Sequence, residues 1–221
     1  RTKETLAATA QPAKQESFQP LPQGFEHVAQ NDIEQLQQLF AEKGNEICAF
    51  MFEPIQGESG VHPCTPEYLQ TAAALCEEVG ALMIADEVQT GIYRTGTPFA
   101  FQQLGITPHI VSIAKGVADG FPMGACAAQT QVAAAFAPGA HGSTFGGSNL
   151  AIAAAFATLS ELKNQNIGAN AQEVGAYLRE QLAQLPGVKE VRGAGLMVAA
   201  DLTEGLDANA IVLEGLNHGL V

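Results

Sequence analysis

Basic residues are scarce in this sequence of 221 residues. Lysine and arginine together number 10, against 23 aspartates and glutamates, which gives a formal net charge of -13. A chain with this charge repels the phosphate backbone of nucleic acids and the anionic surface of a membrane. The composition therefore argues against nucleic acid and membrane partners.

Cysteine is sparse too, and its spacing follows no disulfide or metal-binding pattern. The four cysteines lie at positions 48, 64, 76 and 126, without a C-x-x-C pair. This arrangement predicts neither a disulfide framework nor a zinc site, and we expect the cysteines to be buried as small apolar side chains. His62 and Cys64 alone are too few ligands for a metal, so no metal site is expected.

Long apolar runs are also missing. The most apolar helical candidate, "NLAIAAAFATL" from Asn149, is too short to cross a bilayer, and the opening "RTKETLAATA" lacks the apolar core of a signal peptide. These features predict a cytoplasmic protein. Hydrophobic residues still make up 47% of the chain, which is enough for a substantial core.

Alternating helix and strand patterns predict an α/β fold. A helix is expected from Asn31 or Asp32 to Lys43, and a second in "TPEYLQTAAALCEEVG", with Thr65 as N-cap and Gly80 as stop. The runs "ICAFMFE", "ALMIADE" and "HIVSIAK" have the length and continuous apolar character of buried strands. Strands that are apolar on both faces are typical of a parallel sheet covered by helices.

The ends of the chain are less regular. The first two dozen residues are expected to be loosely structured. Further on, "GACAAQ" is a candidate strand, residues 150–162 and 170–184 are predicted helices, and "DANAIVLEGLNHGL" is a predicted last helix. We expect a large domain over residues 1–186 and the beginning of a smaller α+β domain over residues 187–221.

Polar residues follow each of the three predicted strands. Glu53 and the loop "PIQGESG" follow the first, Asp86 and Glu87 end the second, and Lys115 ends the third. In parallel sheets, ligands bind at the carboxyl ends of the strands. These groups are therefore expected to converge at a ligand site, although a lysine after a buried strand is by itself more typical of a surface position.

Three short motifs resemble other active sites but lack essential parts. A strand ending in Asp-Glu also occurs in P-loop ATPases, but the chain has no G-x-x-x-x-G-K-[ST] loop. "SIAK" matches the S-x-x-K of penicillin-recognising hydrolases, yet on a strand Ser112 and Lys115 face opposite sides. "RGAGLM" lacks the third glycine and the following helix of a dinucleotide loop, so a turn is predicted there.

The remaining combination matches what pyridoxal phosphate requires. This cofactor needs a lysine for a Schiff base with its aldehyde, a carboxylate that keeps the pyridine nitrogen protonated, and donors for its phosphate. Lys115, Asp86 and the "HGSTFGG" loop supply these three kinds of group. Taken in isolation, the loop is equally well explained as a surface turn.

Four motifs, in order along the chain, make the sequence similar to a known family. "FEPIQGESGV", "LMIADEVQTGIYRTG", "SIAKG" with "GFPMGA", and "HGSTFGG" together resemble the class III pyridoxal-phosphate aminotransferases. The resemblance implies a three-layer α/β large domain of the aspartate aminotransferase type (fold type I). It also implies amino transfer from a small-molecule donor to 2-oxoglutarate, and a homodimer with a shared active site.

Site residues follow from the resemblance, residue by residue. It implies that Lys115 forms the Schiff base with pyridoxal phosphate and that Asp86 contacts the pyridine nitrogen. Val88 is implied to pack on the ring face, and Gln89 to reach the phenolic oxygen.

Further roles implied by the resemblance concern the phosphate and the substrate. Thr144, with Ser143 beside it, is implied to bind phosphate, usually that of the partner subunit. Glu58 corresponds to the acidic residue that meets either the substrate or a C-terminal arginine and acts as a gate between the two half-reactions.

The sequence also departs from the family pattern. Tyr93 stands where glycine is usual, Ser59 replaces a common glycine, and "GGSNLA" replaces "GGNPLA". An N-terminal phosphate-contacting loop, an aromatic residue before Arg1 and a carboxylate-binding arginine beyond Val221 are expected from the family and are not in this sequence. The resemblance is therefore to a core fragment of a longer subunit. An alternative is that the chain as it stands is a catalytically incompetent fragment that only folds or dimerises.

Overall fold

The structure is a computed structural model that describes residues 2–221. It divides into two compact units, one ending at Gly44 and the other running from Asn45 to Val221. Each unit is described by itself.

The first unit consists of short helices. Its elements are α1 (Lys3–Ala8), α2 (Pro12–Gln15), a 3-10 turn at Glu16–Phe18, and α3 (Ile33–Lys43). The helix α3 begins where predicted, because the Asp32 side chain accepts a hydrogen bond from the Gln35 amide. The expectation of a loose N-terminal segment is wrong for α1, where Thr2 and Thr5 cap the first turn reciprocally.

The second unit holds all the strands described in residues 2–221. Its elements, in chain order, are β1 (Ala49–Phe52), β2 (Ile55–Gln56), β3 (His62–Pro63), α4 (Pro66–Val79), β4 (Leu82–Asp86), β5 (Ile110–Ile113), β6 (Ala125–Ala128), α5 (Thr130–Ala133), α6 (Asn149–Asn164), α7 (Ile167–Ala183), β7 (Val188–Ala194), β8 (Met197–Leu202) and α8 (Ala208–Asn217). Residues 187–221 belong to this same unit, and the domain boundary after residue 186 remains a prediction.

Four strands form the main sheet, in the order β1-β4-β5-β6. The three strands predicted from apolar runs are parallel, with Phe52 opposite Ala85 and Asp86 opposite Ser112. The fourth strand, β6, is antiparallel to β5. The connection over residues 114–124 is too short for the helical crossover that a parallel neighbour requires, so the chain turns back on itself.

The helix α4 supplies much of the core. Thr65 caps it through a hydrogen bond from the Tyr68 amide, and Gly80 ends it with a φ of 74°, as the sequence predicts. Its buried side chains, Tyr68, Leu69, Ala72 and Cys76, form the inner face.

Two of the four cysteines depart from the predicted burial. Cys64 and Cys76 are buried, whereas Cys48 and Cys126 are exposed, and all four are free thiols. Cys126 lies in β6 and Cys48 directly precedes β1, so both lie at the outer strands of the four-stranded sheet. Their exposure therefore follows from strand order, which the sequence pattern does not reveal.

No helix within residues 2–221 combines the length and apolar character needed to span a membrane.

The helix α7 approaches its neighbours through two glycines. A methyl group at Gly168 would lie 2.4 Å from the carbonyl oxygen of Gly96, and one at Gly175 would lie 1.9 Å from that of Gly195. Gly195 lies in the turn between β7 and β8, and Gly96 in the loop after β4. These contacts are possible only because both α7 positions lack a side chain.

We predict that Gly175→Ala destabilises the protein by about 1–3 kcal/mol, because the added methyl group must displace the backbone around Gly195. Urea unfolding measures the effect. Gly215→Ala is the matched control, since position 215 is also helical and an added methyl group finds its nearest neighbour at 3.7 Å. The control is expected to be neutral or to gain up to about 1 kcal/mol, and equal losses in both variants would contradict the account.

Candidate active site

The carboxyl ends of β1, β4 and β5 lie at one edge of the sheet because the three strands are parallel. Glu53 follows β1 directly, Asp86 is the last residue of β4, and Lys115 comes two residues after β5. The predicted convergence of acidic and basic groups therefore has a structural basis in strand direction.

Lys115 does not close its strand, as the sequence suggested, but opens the next turn. The strand β5 ends at Ile113, Ala114 breaks the pattern, and Lys115 begins a 3-10 helix that runs to Ala118. Lys115 has a φ of 50°, in the left-handed region. That conformation costs a non-glycine residue roughly 1–2 kcal/mol, and such strain is often found at functional sites.

Buried contacts directly after Lys115 hold this turn. Val117 and Ala118 are buried and pack against Ala155 of α6, together with the partly buried Ile113. The turn is thereby fixed to both the sheet and α6, which offsets the backbone strain at Lys115.

A cavity of about 350 Å³ lies beside Lys115. The loop after β2 contributes Gly57 and Val61, and the segment after β4 contributes Val88, Gln89 and Ile92. Its volume falls within the range of small-molecule sites, roughly 300–1,000 Å³. Three of the predicted site residues, Lys115, Val88 and Gln89, thus line one cavity.

The Asp86 carboxylate is held through only one of its oxygens. Oδ1 accepts hydrogen bonds from the Val88 amide and from the Ser112 hydroxyl, each at 3.0 Å. Within residues 2–221, Oδ2 accepts no hydrogen bond. The carboxylate is therefore fixed in orientation while one oxygen remains available to a ligand.

Glu58 is hydrogen-bonded to Gln89, a residue of the cavity wall. The Gln89 Nε2 donates a hydrogen bond to Glu58 Oε1 at 3.2 Å, although Glu58 itself does not line the cavity. Gly57 permits this approach, since a methyl group there would lie 2.4 Å from Gln89 Oε1.

Glu53 is a further acidic residue at the carboxyl edge of the sheet, next to Asp86 and Lys115, and it is not among the predicted site residues. Its Oε2 accepts a hydrogen bond from the Gly57 amide at 3.4 Å. Burial raises its pKa, the negative charges of Asp86 and Glu58 add to the rise, and the charge of Lys115 opposes it. The four groups are therefore electrostatic neighbours, as their strand-terminal positions suggested.

Glu87, by contrast, serves the loop after β4 rather than the cavity. Its carboxylate is 1% exposed and accepts hydrogen bonds from the Thr90 hydroxyl at 2.5 Å, the Ala100 amide at 3.0 Å and the Phe101 amide at 2.8 Å. Burial raises its pKa. The alternation of side chains along a strand explains why neighbouring carboxylates at 86 and 87 have different surroundings.

Ser143 and Thr144 are not brought to the cavity. Both are exposed, in a loop where the Ser143 hydroxyl accepts a hydrogen bond from the Gly146 amide at 3.1 Å. Their phosphate-binding role remains a prediction.

The β7–β8 turn and the first residues of β8 supply a cavity wall that the sequence does not reveal. Leu196, Met197 and Val198 line the cavity, and the Leu196 amide donates a hydrogen bond to the Arg94 carbonyl at 3.0 Å. "RGAGLM" is a turn, as predicted, but only its tertiary contact with the loop after β4 reveals its place at the site. No local pattern carries that information.

Comparison with known proteins identifies the family. The family model for class-III aminotransferases matches residues 1–221. The chain is 44% identical over 225 residues to the acetylornithine aminotransferase of Caldanaerobacter subterraneus, covering 100% of this chain and 56% of that protein. The chain belongs to the class-III aminotransferases.

Solved structures of aminotransferases share the fold. The ornithine aminotransferase from Toxoplasma gondii matches with a TM-score of 0.92 and 34% identity, covering 100% of this chain and 53% of that one. The acetylornithine aminotransferase from Elizabethkingia anophelis matches with a TM-score of 0.83 and 34% identity, over 90% of this chain and 51% of that one. The predicted α/β aminotransferase fold is confirmed, and the chain spans about half the length of these relatives.

The structure shows the backbone position of two residues that depart from the class-III pattern, Tyr93 and Asn149. Tyr93 has a φ of 64°, a conformation that favours the glycine usual at this position. Asn149 is the first residue of α6, a position at which the proline of the usual motif is well tolerated.

We predict that Glu87→Gln lowers the free energy of unfolding by about 1–3 kcal/mol, because the amide group presents a donor to backbone amides that need an acceptor. Urea unfolding measures the effect, with Glu77→Gln on exposed α4 surface as the control.

The loss should also depend on pH. Since the pKa of Glu87 is raised above its ordinary value of 4.5, the folded protein binds more protons than the unfolded chain between the two pKa values. Wild-type stability therefore gains from this group as the pH falls through that window. The difference between wild type and Glu87→Gln should be larger at about pH 5 than at about pH 7.5, and the opposite order would contradict the assignment.

Proposed function

We propose that the natural polypeptide containing this sequence is a pyridoxal phosphate-dependent aminotransferase. Its proposed reaction transfers an amino group between N2-acetylornithine and 2-oxoglutarate, a step of arginine biosynthesis. The observation that carries the proposal is a cavity lined by Lys115, Val88 and Gln89. Asp86 is not among the lining residues, but its carboxylate accepts a hydrogen bond from the amide of the lining residue Val88 and keeps one oxygen free. Similarity to acetylornithine aminotransferases supports the choice of amino donor.

The residues present fit pyridoxal phosphate as the cofactor. Pyridoxal phosphate is reported at the active site of the Toxoplasma gondii ornithine aminotransferase. In this chain, Lys115 forms no ion pair within residues 2–221, so its amine is not committed to a carboxylate. The free Oδ2 of Asp86 suits a protonated ring nitrogen, since a carboxylate stabilises positive charge there.

Each site residue has a distinct proposed role. When bound, the cofactor supplies an aldehyde for the amine and a ring that takes up electrons. The Lys115 amine would hold the cofactor aldehyde and would also serve as the general base that moves a proton of the substrate. Asp86 would keep the ring nitrogen protonated, Val88 would pack on the ring, and Gln89 would donate a hydrogen bond to its phenolic oxygen.

Glu58 is proposed to act on the substrate side. Its hydrogen bond with Gln89 links the substrate position to the cofactor position. A carboxylate that exchanges partners between the two half-reactions would let one cavity accept both the amino donor and 2-oxoglutarate.

A second candidate donor is ornithine. The structural match to the Toxoplasma gondii ornithine aminotransferase, at a TM-score of 0.92, favours it. Succinylornithine and 4-aminobutyrate aminotransferases share the sequence motifs as well. Comparing initial rates with the four donors at equal concentrations separates these functions, and a preference for N2-acetylornithine is expected.

A homodimer with shared active sites is proposed as the assembly. Large apolar side chains are exposed on α6 and the loop before it, among them Phe145 at 86% and Phe156 at 74%. Large apolar side chains exposed on one helix and its neighbouring loop are a feature of interaction surfaces. The exposed Thr144 in the same loop is proposed to bind phosphate of the partner subunit's cofactor.

The direct test is incubation with pyridoxal phosphate, reduction with borohydride and peptide mapping. A single adduct on Lys115 is expected, and Lys115→Ala should lose both the adduct and turnover. The control variant Lys163→Ala, at the exposed end of α6, should keep both. Adducts scattered over several lysines in the full natural polypeptide would overturn the proposal. Turnover together with a single adduct on another lysine would show an aminotransferase that does not use Lys115.

A further inference from the structure

Arg192 links the β7–β8 hairpin to the loop that carries Glu58. Its Nε donates a hydrogen bond to the Gly60 carbonyl oxygen at 2.9 Å, across 132 residues of sequence. Its Nη1 forms an ion pair with Asp201 Oδ2 at 2.7 Å, and only 14% of the side chain is exposed. One guanidinium thus uses two different edges for two partners, which a lysine ammonium does not reproduce.

The hairpin itself fixes the direction of this arginine. Arg192 lies opposite Ala199, and Asp201 lies opposite Glu190, two residues along the same pair of strands. Residues two apart on a strand share a face, so Arg192 and Asp201 are diagonal neighbours on one side of the hairpin. The pair raises the pKa of Arg192 and lowers that of Asp201, so both groups remain charged at neutral pH.

The loop that Arg192 holds has a strained backbone. Residues 57–61 connect β2 and β3, with a φ of 116° at Gly60 and 58° at Val61. A β-branched residue such as valine rarely adopts a positive φ and needs surrounding contacts to keep it there. The Gly60 carbonyl belongs to the peptide unit between these two residues. The hydrogen bond from Arg192 therefore restrains the peptide that joins the two positive-φ residues.

The same loop forms one side of the cavity. Gly57 and Val61 line it, and Glu58 between them accepts the hydrogen bond from Gln89. Within the loop, backbone support comes from the Gly60 amide bonded to the Gly57 carbonyl and from the His62 ring beside the Ser59 carbonyl. Arg192 adds an anchor from a distant part of the chain.

We propose that Arg192 is a positioning residue that holds loop 57–61 so that Glu58 faces Gln89, tying the substrate gate to the β7–β8 hairpin. The role of Glu58 as a gate rests on the proposed function, whereas the anchoring of the loop does not. A shift of the hairpin would therefore move the Gly60 carbonyl and, with it, Glu58 and Val61.

Hydrogen–deuterium exchange tests the anchoring in the natural polypeptide without any assay of turnover. In Arg192→Ala, and in Arg192→Lys, peptides that cover residues 57–62 should exchange about tenfold faster than in wild type, since a charge-assisted hydrogen bond is lost. Peptides from α4 should be unchanged, which shows that the fold is intact. Should Arg192→Ala fail to fold, Arg192→Lys carries the test alone.

Lys189→Ala is the matched control, because it removes the same charge from the same strand. Lys189 is exposed, and within residues 2–221 its side chain donates no hydrogen bond and forms no ion pair. Its loop peptides should exchange as in wild type. Unchanged exchange in both Arg192 variants, or an equal effect in Lys189→Ala, would overturn the proposal.

Steady-state kinetics tests the link to the gate. The KM for amino donor or 2-oxoglutarate should rise about tenfold in Arg192→Lys while kcat changes little, because the loop positions substrate rather than the reacting atoms. Faster loop exchange with an unaltered KM would refute the coupling to Glu58 while leaving the aminotransferase assignment intact. If wild type itself shows no aminotransferase activity, the proposed function fails and the exchange experiment still decides the anchoring.

Discussion

The parallel register of β1, β4 and β5 is the constraint on which the site depends. It brings three strand ends to one edge of the sheet, and the alignment of Asp86 with Ser112 places the Ser112 hydroxyl against the Asp86 carboxylate. That hydrogen bond, with the one from the Val88 amide, fixes one carboxylate oxygen and leaves the other free. A shift of one residue in this register would turn Asp86 to the opposite face.

Around this edge, the cavity is built from segments whose backbones are strained. Positive φ values occur at Val61, Ile92 and Lys115, all of which line the cavity. Each is held by contacts from elsewhere: the anchor from Arg192, a hydrogen bond from the Ile92 amide to the Pro98 carbonyl, and the packing of Val117 and Ala118. Strain at a cavity wall is stable only when the surrounding structure over-determines it.

Much of the fold could be predicted from local sequence patterns. The parts of the site that depend on tertiary contacts could not. The apolar runs located β1, β4 and β5, and the caps at Thr65 and Gly80 bounded α4, because these signals are local. The left-handed turn at Lys115 and the cavity wall at Leu196 depend on tertiary contacts. The family resemblance named Lys115, Val88 and Gln89, which share a cavity, but also Thr144, which is exposed away from it.

The most direct measurement is a crystal structure of the natural polypeptide with pyridoxal phosphate. We expect density continuous with Lys115 Nζ, and a pyridine nitrogen within about 3 Å of Asp86 Oδ2. The two existing hydrogen bonds to Oδ1 should remain. A cofactor bound elsewhere, or a ring nitrogen that contacts a group other than Asp86, would contradict the central claim that this sheet edge is the cofactor site.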